Sequence, residues 1–262
     1  RPQFIKAAPF SNYILKNTNI TEVLADSGQH YDPSMSSSFF HEMQIPKPKY
    51  NFEAGGLSHA KMTAKILEKS EEVLLLEKPD FLLVYGDTNT TIGAAVAASK
   101  LYIPIIHIEA GLRSCRKNQP EEINRVLTDH ISSFLFCPSD LAVLNLNNEG
   151  IKNNVKNVGD IMQESVLMFK DKLKPSSKVE ALAAEKEFCL FTLHRQENVE
   201  EKTTLEEIFT ALSQFKERII FPIHPRTKKR LEEFSLKIPS NIHIIPPASY
   251  GDILFLMRNS QF

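Results

Sequence analysis

The stretch VYGDTNTTIGAAVAASK, Val84 to Lys100, predicts a strand, a tight turn and the start of a helix. An apolar run, FLLVYG, leads into Asp87, and an alanine-rich helical segment follows, opened by Thr88, Thr90 and Thr91. Free backbone N–H groups and the helix dipole point at such a turn, which favours anions. The turn lacks the GxxxxGK[ST] pattern of a phosphate loop, and its charged side chain is negative.

Apolar runs and helical patterns alternate on both sides of this stretch. The predicted strands are 81–86, 103–109, 134–138, 188–194, 219–224 and 242–247. The predicted helices are about 5–15, 56–76, 90–100, 120–131, 139–149, 161–171, 202–214, 225–235 and 250–259. Continuously apolar strands are buried on both faces, which is typical of a parallel sheet covered by helices. The sequence therefore predicts an α/β fold of two doubly wound, Rossmann-like lobes with a cleft between them.

The polar segment KDKLKPSSKVEALAAEKE, 171–187, separates the two lobes as a linker or crossover. It leaves an N-terminal lobe at 1–170 and a partial C-terminal lobe at 188–262. The chain begins at RPQFIKAA without a methionine or a preceding strand, and it stops in a helical pattern. We therefore expect a portion of a longer protein, shortened at both ends.

Composition excludes several classes of protein. The chain has 262 residues, with 42% hydrophobic and 24% charged, as in a globular soluble protein. A net charge of −1 provides no general attraction to nucleic acid or to an acidic membrane. No run has transmembrane length and no signal peptide is evident, so no membrane partner is expected. The three scattered cysteines, without CxxC spacing, favour the reducing cytoplasm.

Polar side chains cluster where predicted strands end, the place where ligands bind in doubly wound folds. Asp87, His107 and Glu109 end strands of the first lobe, and Gly111 and Arg113 open the next loop. His107 and Glu109 are two residues apart on one strand, so we expect their side chains on the same side.

The second lobe supplies cations at the equivalent positions: His194 and Arg195 after one strand, His224 and Arg226 after the next. Carboxylates thus come from the first lobe, and histidine with arginine comes from the second.

The segment PEEINR, 120–125, adds acids at a predicted helix start. Glu121 and Glu122 either complement the helix dipole or join the acidic site; we favour the dipole for Glu122 and leave Glu121 open. Asn124 and Arg125 are placed to hold the carboxylates. Crowded carboxylates separate their pKa values, which leaves one as a base and another as an acid.

Other chemistries have weaker support. Neither HExxH nor a grouped ligand set predicts a metal site, and no GxSxG motif predicts a serine hydrolase. The basic run HPRTKKR, 224–230, is followed by LEEF and predicts a solvated helix face rather than a nucleic-acid surface.

The ordered motifs resemble those of the non-hydrolysing UDP-N-acetylglucosamine 2-epimerases. The matching segments are RPQFIKAA, SGQHYD, GDTNTT, HIEAGLRS, PEEINR, FCPS, NEGI, NVGDIM and FTLHRQEN. RPQFIKAA and VGDIM are more similar to the branch that acts on UDP-2,3-diacetamido-2,3-dideoxyglucuronate. The family's strand before Arg1 and its later DSGG segment are not in this sequence, so the fragment is expected to bind UDP poorly or to be inactive.

The resemblance implies a glycosyltransferase-B type fold and inversion at C2 of a UDP-N-acetylhexosamine, for surface polysaccharide precursors. UDP leaves C1 as the C2 proton is lost, and both add back with the opposite configuration, without any cofactor or metal. Asp87 then acts on the sugar and does not bind a phosphate. The alternatives are a sugar transferase of the same fold and a non-catalytic UDP-sugar binding module.

The resemblance also implies roles for individual residues. Its catalytic positions fall on Asp87, Glu109, Glu121 and His194. Its substrate-binding positions fall on Arg1 and Lys6, to which we add Arg113 and Arg195. The loop GLRSCRKNQ, just after Glu109, offers Arg113, Arg116 and Lys117 as candidates to recognise a C6 carboxylate, with a solvated loop face as the alternative for Arg116 and Lys117. A second UDP-GlcNAc is implied as an allosteric activator, with contacts from Gln29, His30 and His224, and a homodimer is expected.

Overall fold

The computed structural model describes residues 2–17, 19–29, 42–185 and 187–261. The chain divides into two compact units, Arg1–Met168 and Phe169–Phe262, and each contains a parallel sheet. The predicted α/β class, with strands and helices alternating, is confirmed. The cleft between two lobes stays a prediction.

The first unit contains two sheets and the helices that follow their strands. In chain order its elements are α1 (Pro2–Lys16), β1 (Ala25–Asp26), β2 (Tyr50–Asn51), α2 (His59–Glu77), β3 (Leu82–Tyr85), α3 (Asn89–Lys100), β4 (Ile105–Ile108), α4 (Pro120–Ile131), β5 (Phe134–Cys137), α5 (Asp140–Asn148), β6 (Val155–Asn157) and α6 (Ile161–Phe169). Strands β1 and β2 pair with each other, and the larger sheet has the order β3-β4-β5-β6.

The register of the larger sheet determines which residues meet at its edge. All its strands are parallel, and the last pair of β3 and β4 is Tyr85 with Ile108. The next residues along the chain, Gly86 and Glu109, therefore leave the sheet side by side. Because parallel strands end at a common edge, Asp87 and Glu109 are brought to the same side of the unit.

Helix α3 begins at a capping box and packs against α2 through small side chains. Thr88 accepts a hydrogen bond from Thr91 N, and the Thr91 side chain accepts one from Thr88 N. A Cβ added at Gly93 would lie 2.9 Å from Ile66 Cγ2, so α2 lies directly on the α3 backbone there. The alanines of α3 are buried with Leu74 and Val84 in the core between these helices and the sheet.

The second unit is built on a three-stranded sheet with the order β7-β8-β9. Its elements are α7 (Ser177–Ala184), β7 (Phe188–Leu190), α8 (Gln196–Val199), α9 (Lys202–Ser213), β8 (Arg218–Pro222), α10 (Pro225–Glu233), β9 (Ile242–Ile245) and α11 (Tyr250–Asn259). Phe221, near the end of β8, is completely buried and packs against the rings of Phe191 and Phe209. This unit thus has a core of its own.

Three local predictions differ from the structure. The strand predicted at 188–194 ends at Leu190, so His194 lies in the following loop. The polar segment 171–187 contains helix α7, whose Val179 packs on Phe188. Strand β6, VKN, was not predicted because an edge strand exposes its side chains and carries little apolar pattern.

Candidate active site

Asp87 lies just after β3, in a turn that only glycine permits. Gly86 has φ +61°, and a Cβ there would lie 2.9 Å from Lys6 Nζ. Arg125 of α4 forms an ion pair with the Asp87 carboxylate. Asn124 Nδ2 donates to the Asp87 carbonyl oxygen over 3.0 Å. The prediction that these residues hold a carboxylate is confirmed for Arg125 at Asp87, whereas Asn124 binds the Asp87 backbone.

Glu109 leaves the sheet in the left-handed conformation, with φ +71°. Its N–H and that of Ala110 both donate to the Phe136 carbonyl oxygen, at 3.0 and 3.1 Å. Lys6, reaching from α1, forms an ion pair with the Glu109 carboxylate, and the Lys6 side chain is only 6% exposed. Asp87 and Glu109 are therefore two carboxylates at one sheet edge, each paired with a different cation.

That His107 and Glu109 face the same side stays a prediction. His107 is fully buried within β4, whereas the strand ends at Ile108. Glu109 lies beyond the strand with a left-handed backbone, and the alternation behind the prediction holds only for extended residues. His107 therefore does not belong to the exposed rim of polar residues.

His107 instead belongs to a buried polar network that includes Asp129 of α4. His107 Nδ1 lies 2.7 Å from Asp129 Oδ1, and Nε2 lies 2.7 Å from the Gly86 carbonyl oxygen. Asp129 Oδ2 accepts from Gly111 N at 3.1 Å and from Arg113 Nη1 at 2.7 Å. Sequence reasoning missed Asp129, because 22 residues separate it from His107 and no local motif joins the two.

Arg113 is the outer member of this network. Its Nε and Nη2 donate to the two carboxylate oxygens of Glu149, at 2.6 and 2.7 Å, and Nη1 also donates to the Leu112 carbonyl. Although burial opposes its charge, these bonds raise the pKa of Arg113, and its bond lowers the pKa of Glu149. That Arg113 binds substrate stays a prediction, and its N–H groups already have protein acceptors.

The two acids that begin α4 differ in their surroundings. Glu121 is exposed at the first turn. Glu122 is buried and accepts hydrogen bonds from Ser114 N at 2.9 Å and from Cys115 N at 2.8 Å. Burial opposes its ionisation, but these bonds and Arg125 outweigh it, so the pKa of Glu122 lies below its usual value. Glu122 therefore holds the loop after Glu109 rather than only complementing the helix dipole.

The second unit presents its predicted cations near the start of α10. His194 and Arg195 are exposed, and the His194 ring lies 6.0 Å from the His224 ring between centroids. His224 caps α10, because its Nδ1 accepts from Arg226 N at 3.2 Å. Thr227, fully buried, donates its hydroxyl to the Leu193 carbonyl at 2.5 Å. This last bond joins α10 to the loop that carries His194.

The predicted allosteric residues are described only in part. Gln29 Oε1 accepts from Thr90 Oγ1 at 2.9 Å, and Gln29 N donates to Ser27 Oγ at 3.2 Å. Gln29 is therefore connected to the first turn of α3, close in sequence to Asp87. Arg1 and His30 lie outside the described residues.

Features of metal centres and membrane spans are absent from the described residues. Across 2–17, 19–29, 42–185 and 187–261, no cluster of three or more His, Cys, Asp or Glu side chains has the arrangement of a metal site. In the same described part of the chain, no helix combines the length and the apolar character that a membrane span requires.

The edge of the larger sheet can perform proton chemistry. Two carboxylates on neighbouring strand ends can exchange a proton with a bound carbon acid, and each is paired with a cation. The backbone that carries both groups is held by α4 and by the His107 network.

Comparison with known proteins identifies the family. The family model described as UDP-N-acetylglucosamine 2-epimerase matches residues 13–262. A UDP-N-acetylglucosamine 2-epimerase homolog of Methanococcus maripaludis is 48% identical, over 100% of this chain and 74% of the relative. The UDP-2,3-diacetamido-2,3-dideoxy-D-glucuronate 2-epimerase of Pseudomonas aeruginosa is 43% identical, over 99% of this chain and 74% of the relative.

A solved structure agrees with these sequences. The crystal structure of Methanocaldococcus jannaschii UDP-GlcNAc 2-epimerase in complex with UDP-GlcNAc and UDP has a TM-score of 0.91 and 43% identity, covering 100% of this chain and 75% of that one. The likeness confirms the predicted fold class, of the glycosyltransferase-B type. By its sequence and its fold, the chain belongs to the UDP-N-acetylglucosamine 2-epimerase family.

Proposed function

We propose that the protein inverts C2 of a UDP-N-acetylhexosamine by eliminating UDP and adding it back. The observation that supports this function best is the pair of carboxylates, Asp87 and Glu109, at the ends of adjacent parallel strands. Each carboxylate is paired with its own cation, Arg125 or Lys6. Inversion at carbon needs groups that remove a proton from one face and deliver one to the other.

In the forward half of the reaction, a carboxylate takes the C2 proton. The C2–H electron pair forms the C1–C2 double bond, and the C1–O bond breaks with its electron pair on UDP. In the return half, UDP oxygen attacks C1 and an acid delivers a proton to the opposite face of C2. We assign these proton transfers to Asp87 and Glu109, with exposed Glu121 as a third candidate.

The leaving diphosphate carries negative charge that cations must stabilise. We assign this role to His194 and Arg195 from the second unit, together with Lys6 and Arg1 from the first. Two observations support a prearranged His194: the bond of Thr227 to Leu193, and the neighbouring His224 ring.

Regulation, assembly and location complete the proposal. A second UDP-GlcNAc would bind near Gln29, His30 and His224 as an activator, and the enzyme would work as a cytoplasmic homodimer. The contact of Gln29 with Thr90 supports a link to the acid site, because Thr90 belongs to the helix that starts beside Asp87.

Turnover in D2O tests the function. The purified enzyme is incubated with UDP-GlcNAc, and in parallel with its 2,3-diacetamido uronate analogue, without an acceptor, added NAD or added metal. We expect the C2 epimer of at least one substrate, with deuterium at C2. A requirement for NAD, abolition by EDTA, or UDP release only with a sugar acceptor would contradict the proposal. The ratio of kcat/KM for the two substrates then identifies the branch.

A further inference from the structure

The His107 network joins the two strand ends that carry the proposed acid–base groups. From one end to the other it runs from the Gly86 carbonyl to His107, from His107 to Asp129, and from Asp129 to the Gly111 N–H. Gly86 directly precedes Asp87, and Gly111 is two residues beyond Glu109. The His107 and Asp129 side chains are 0% exposed, so water does not replace these bonds.

The backbone ladder alone does not set the distance between Asp87 and Glu109. It ends where Gly86 N donates to the Ile108 carbonyl at 3.0 Å. Beyond that bond, the backbone that follows each strand adopts the left-handed conformation. Gly86 has φ +61° after β3, and Glu109 has φ +71° after β4. The buried side-chain network begins at this point and continues the connection between the two turns.

We propose that His107 is a positioning residue that holds the turn of Asp87 in register with the turn of Glu109. The inference rests on the proposed function, since it assigns those two carboxylates to one reaction. The ring lies between a carboxyl group and a carbonyl, each within hydrogen-bond distance of one ring nitrogen. Arg113 also binds Asp129 from the other side.

Two substitutions of His107 each remove one of its two side-chain hydrogen bonds and keep the other. The amide nitrogen of His107→Asn replaces Nδ1 and keeps the bond to Asp129, but it loses the bond to Gly86. The longer His107→Gln replaces Nε2 and keeps the Gly86 bond, but it loses Asp129. Both variants replace the same ring by a carboxamide, so they form a matched pair for any general loss of stability.

The two variants are compared with the wild-type enzyme in kcat, in KM and in how deuterium is distributed between recovered substrate and epimer after turnover in D2O. A misplacement near 1 Å lowers the rate by about 100-fold, so we expect kcat of His107→Asn to fall by about that factor with a smaller change in KM. His107→Gln should keep most of the wild-type kcat, because the residue before Asp87 stays bonded to position 107 of β4, the strand that leads directly to Glu109. In His107→Asn the ratio of deuterium in recovered substrate to deuterium in epimer should also change. The reason is that Asp87 is no longer held in its position relative to Glu109.

A purely structural role predicts a different result. Equal loss of active enzyme in both variants, with the wild-type deuterium ratio, overturns the inference. A wild-type enzyme that forms no epimer overturns the proposed function instead, so the two failures are distinguishable. Should neither variant fold by circular dichroism, ¹⁵N-histidine spectra of the wild-type protein decide: the inference needs a hydrogen bond at both His107 ring nitrogens, and a ring nitrogen without one contradicts it.

Discussion

Glu109 has a backbone conformation that most side chains avoid. Left-handed residues other than glycine cost about 1–2 kcal/mol, because Cβ approaches a carbonyl oxygen. Here the two N–H donors to Phe136 and the ion pair with Lys6 offset that cost. Such strain often accompanies function, and at this position it directs a carboxylate away from the sheet.

Asp87→Asn is the test of chemistry at a single residue. The change keeps the shape of the side chain but removes its charge and basicity, so we expect turnover to fall by about 10²–10⁴-fold. The affinity for UDP, measured by calorimetry, should stay close to that of the wild-type protein. Asp80→Asn, at an exposed position, removes the same charge and should leave turnover unchanged. Wild-type turnover in Asp87→Asn would remove Asp87 from the mechanism.

Helix α4 organises the sheet edge as one element. Glu122, Arg125 and Asp129 follow a spacing of three and four residues, so they lie on one face of the helix. Each binds a different part of the site: Glu122 the loop at Ser114 and Cys115, Arg125 the Asp87 carboxylate, and Asp129 the His107 network. A small rotation of α4 would move all three together.

Gly111 shows how closely α5 approaches this edge. A Cβ at Gly111 would overlap the Ala142 carbonyl oxygen, which belongs to backbone and cannot rotate away. We expect Gly111→Ala to lower the free energy of unfolding by roughly 2–4 kcal/mol, through left-handed strain plus overpacking.

Gly159→Ala is the matched control for Gly111→Ala. Gly159 has φ +82°, close to the +79° of Gly111, but nothing lies within 4 Å of its added Cβ. Urea unfolding of both variants therefore separates the clash from the backbone strain. Equal losses in the two variants would show that α5 does not pack against Gly111 as described.

The sequence predicted the strands and the acids that follow them better than it predicted the contacts around those acids. Buried strands such as β3 and β4 were predicted because a short, continuous apolar run between turn residues is typical of a strand covered on both faces. Asp87 and Glu109 were found because they follow such runs. The contact of His107 with Asp129 was not, because it depends on tertiary packing. The positive φ at Glu109 was also missed, because glycine is the usual signal for that conformation.

For the whole molecule, the net charge of −1 hides strong local pairing. Glu149 is one example, since its bonds to Arg113 lower its pKa from 4.5, the ordinary value. A lowered pKa means that the folded state favours the carboxylate. Its contribution to stability is complete above that ordinary value and is lost as the pH falls through the lowered pKa.

Glu149→Gln tests this linkage. At neutral pH we expect a loss of about 1–3 kcal/mol in the free energy of unfolding, because Arg113 loses a charged acceptor. Denaturant unfolding in acid should show a smaller difference from the wild-type protein, since protonation also neutralises Glu149 there. Glu72→Gln, which removes an exposed partner of Lys69, should cost less at either pH. A difference that grows in acid would reverse the assigned sign.

The close approach of α2 to α3 at Gly93 has a consequence for sequence change in this molecule. Ile66 touches the place where a side chain at 93 would begin, and Thr63 O lies 3.2 Å from it. Positions 66 and 93 are therefore coupled sterically: we expect a residue larger than glycine at 93 to be accommodated only with a residue smaller than isoleucine at 66.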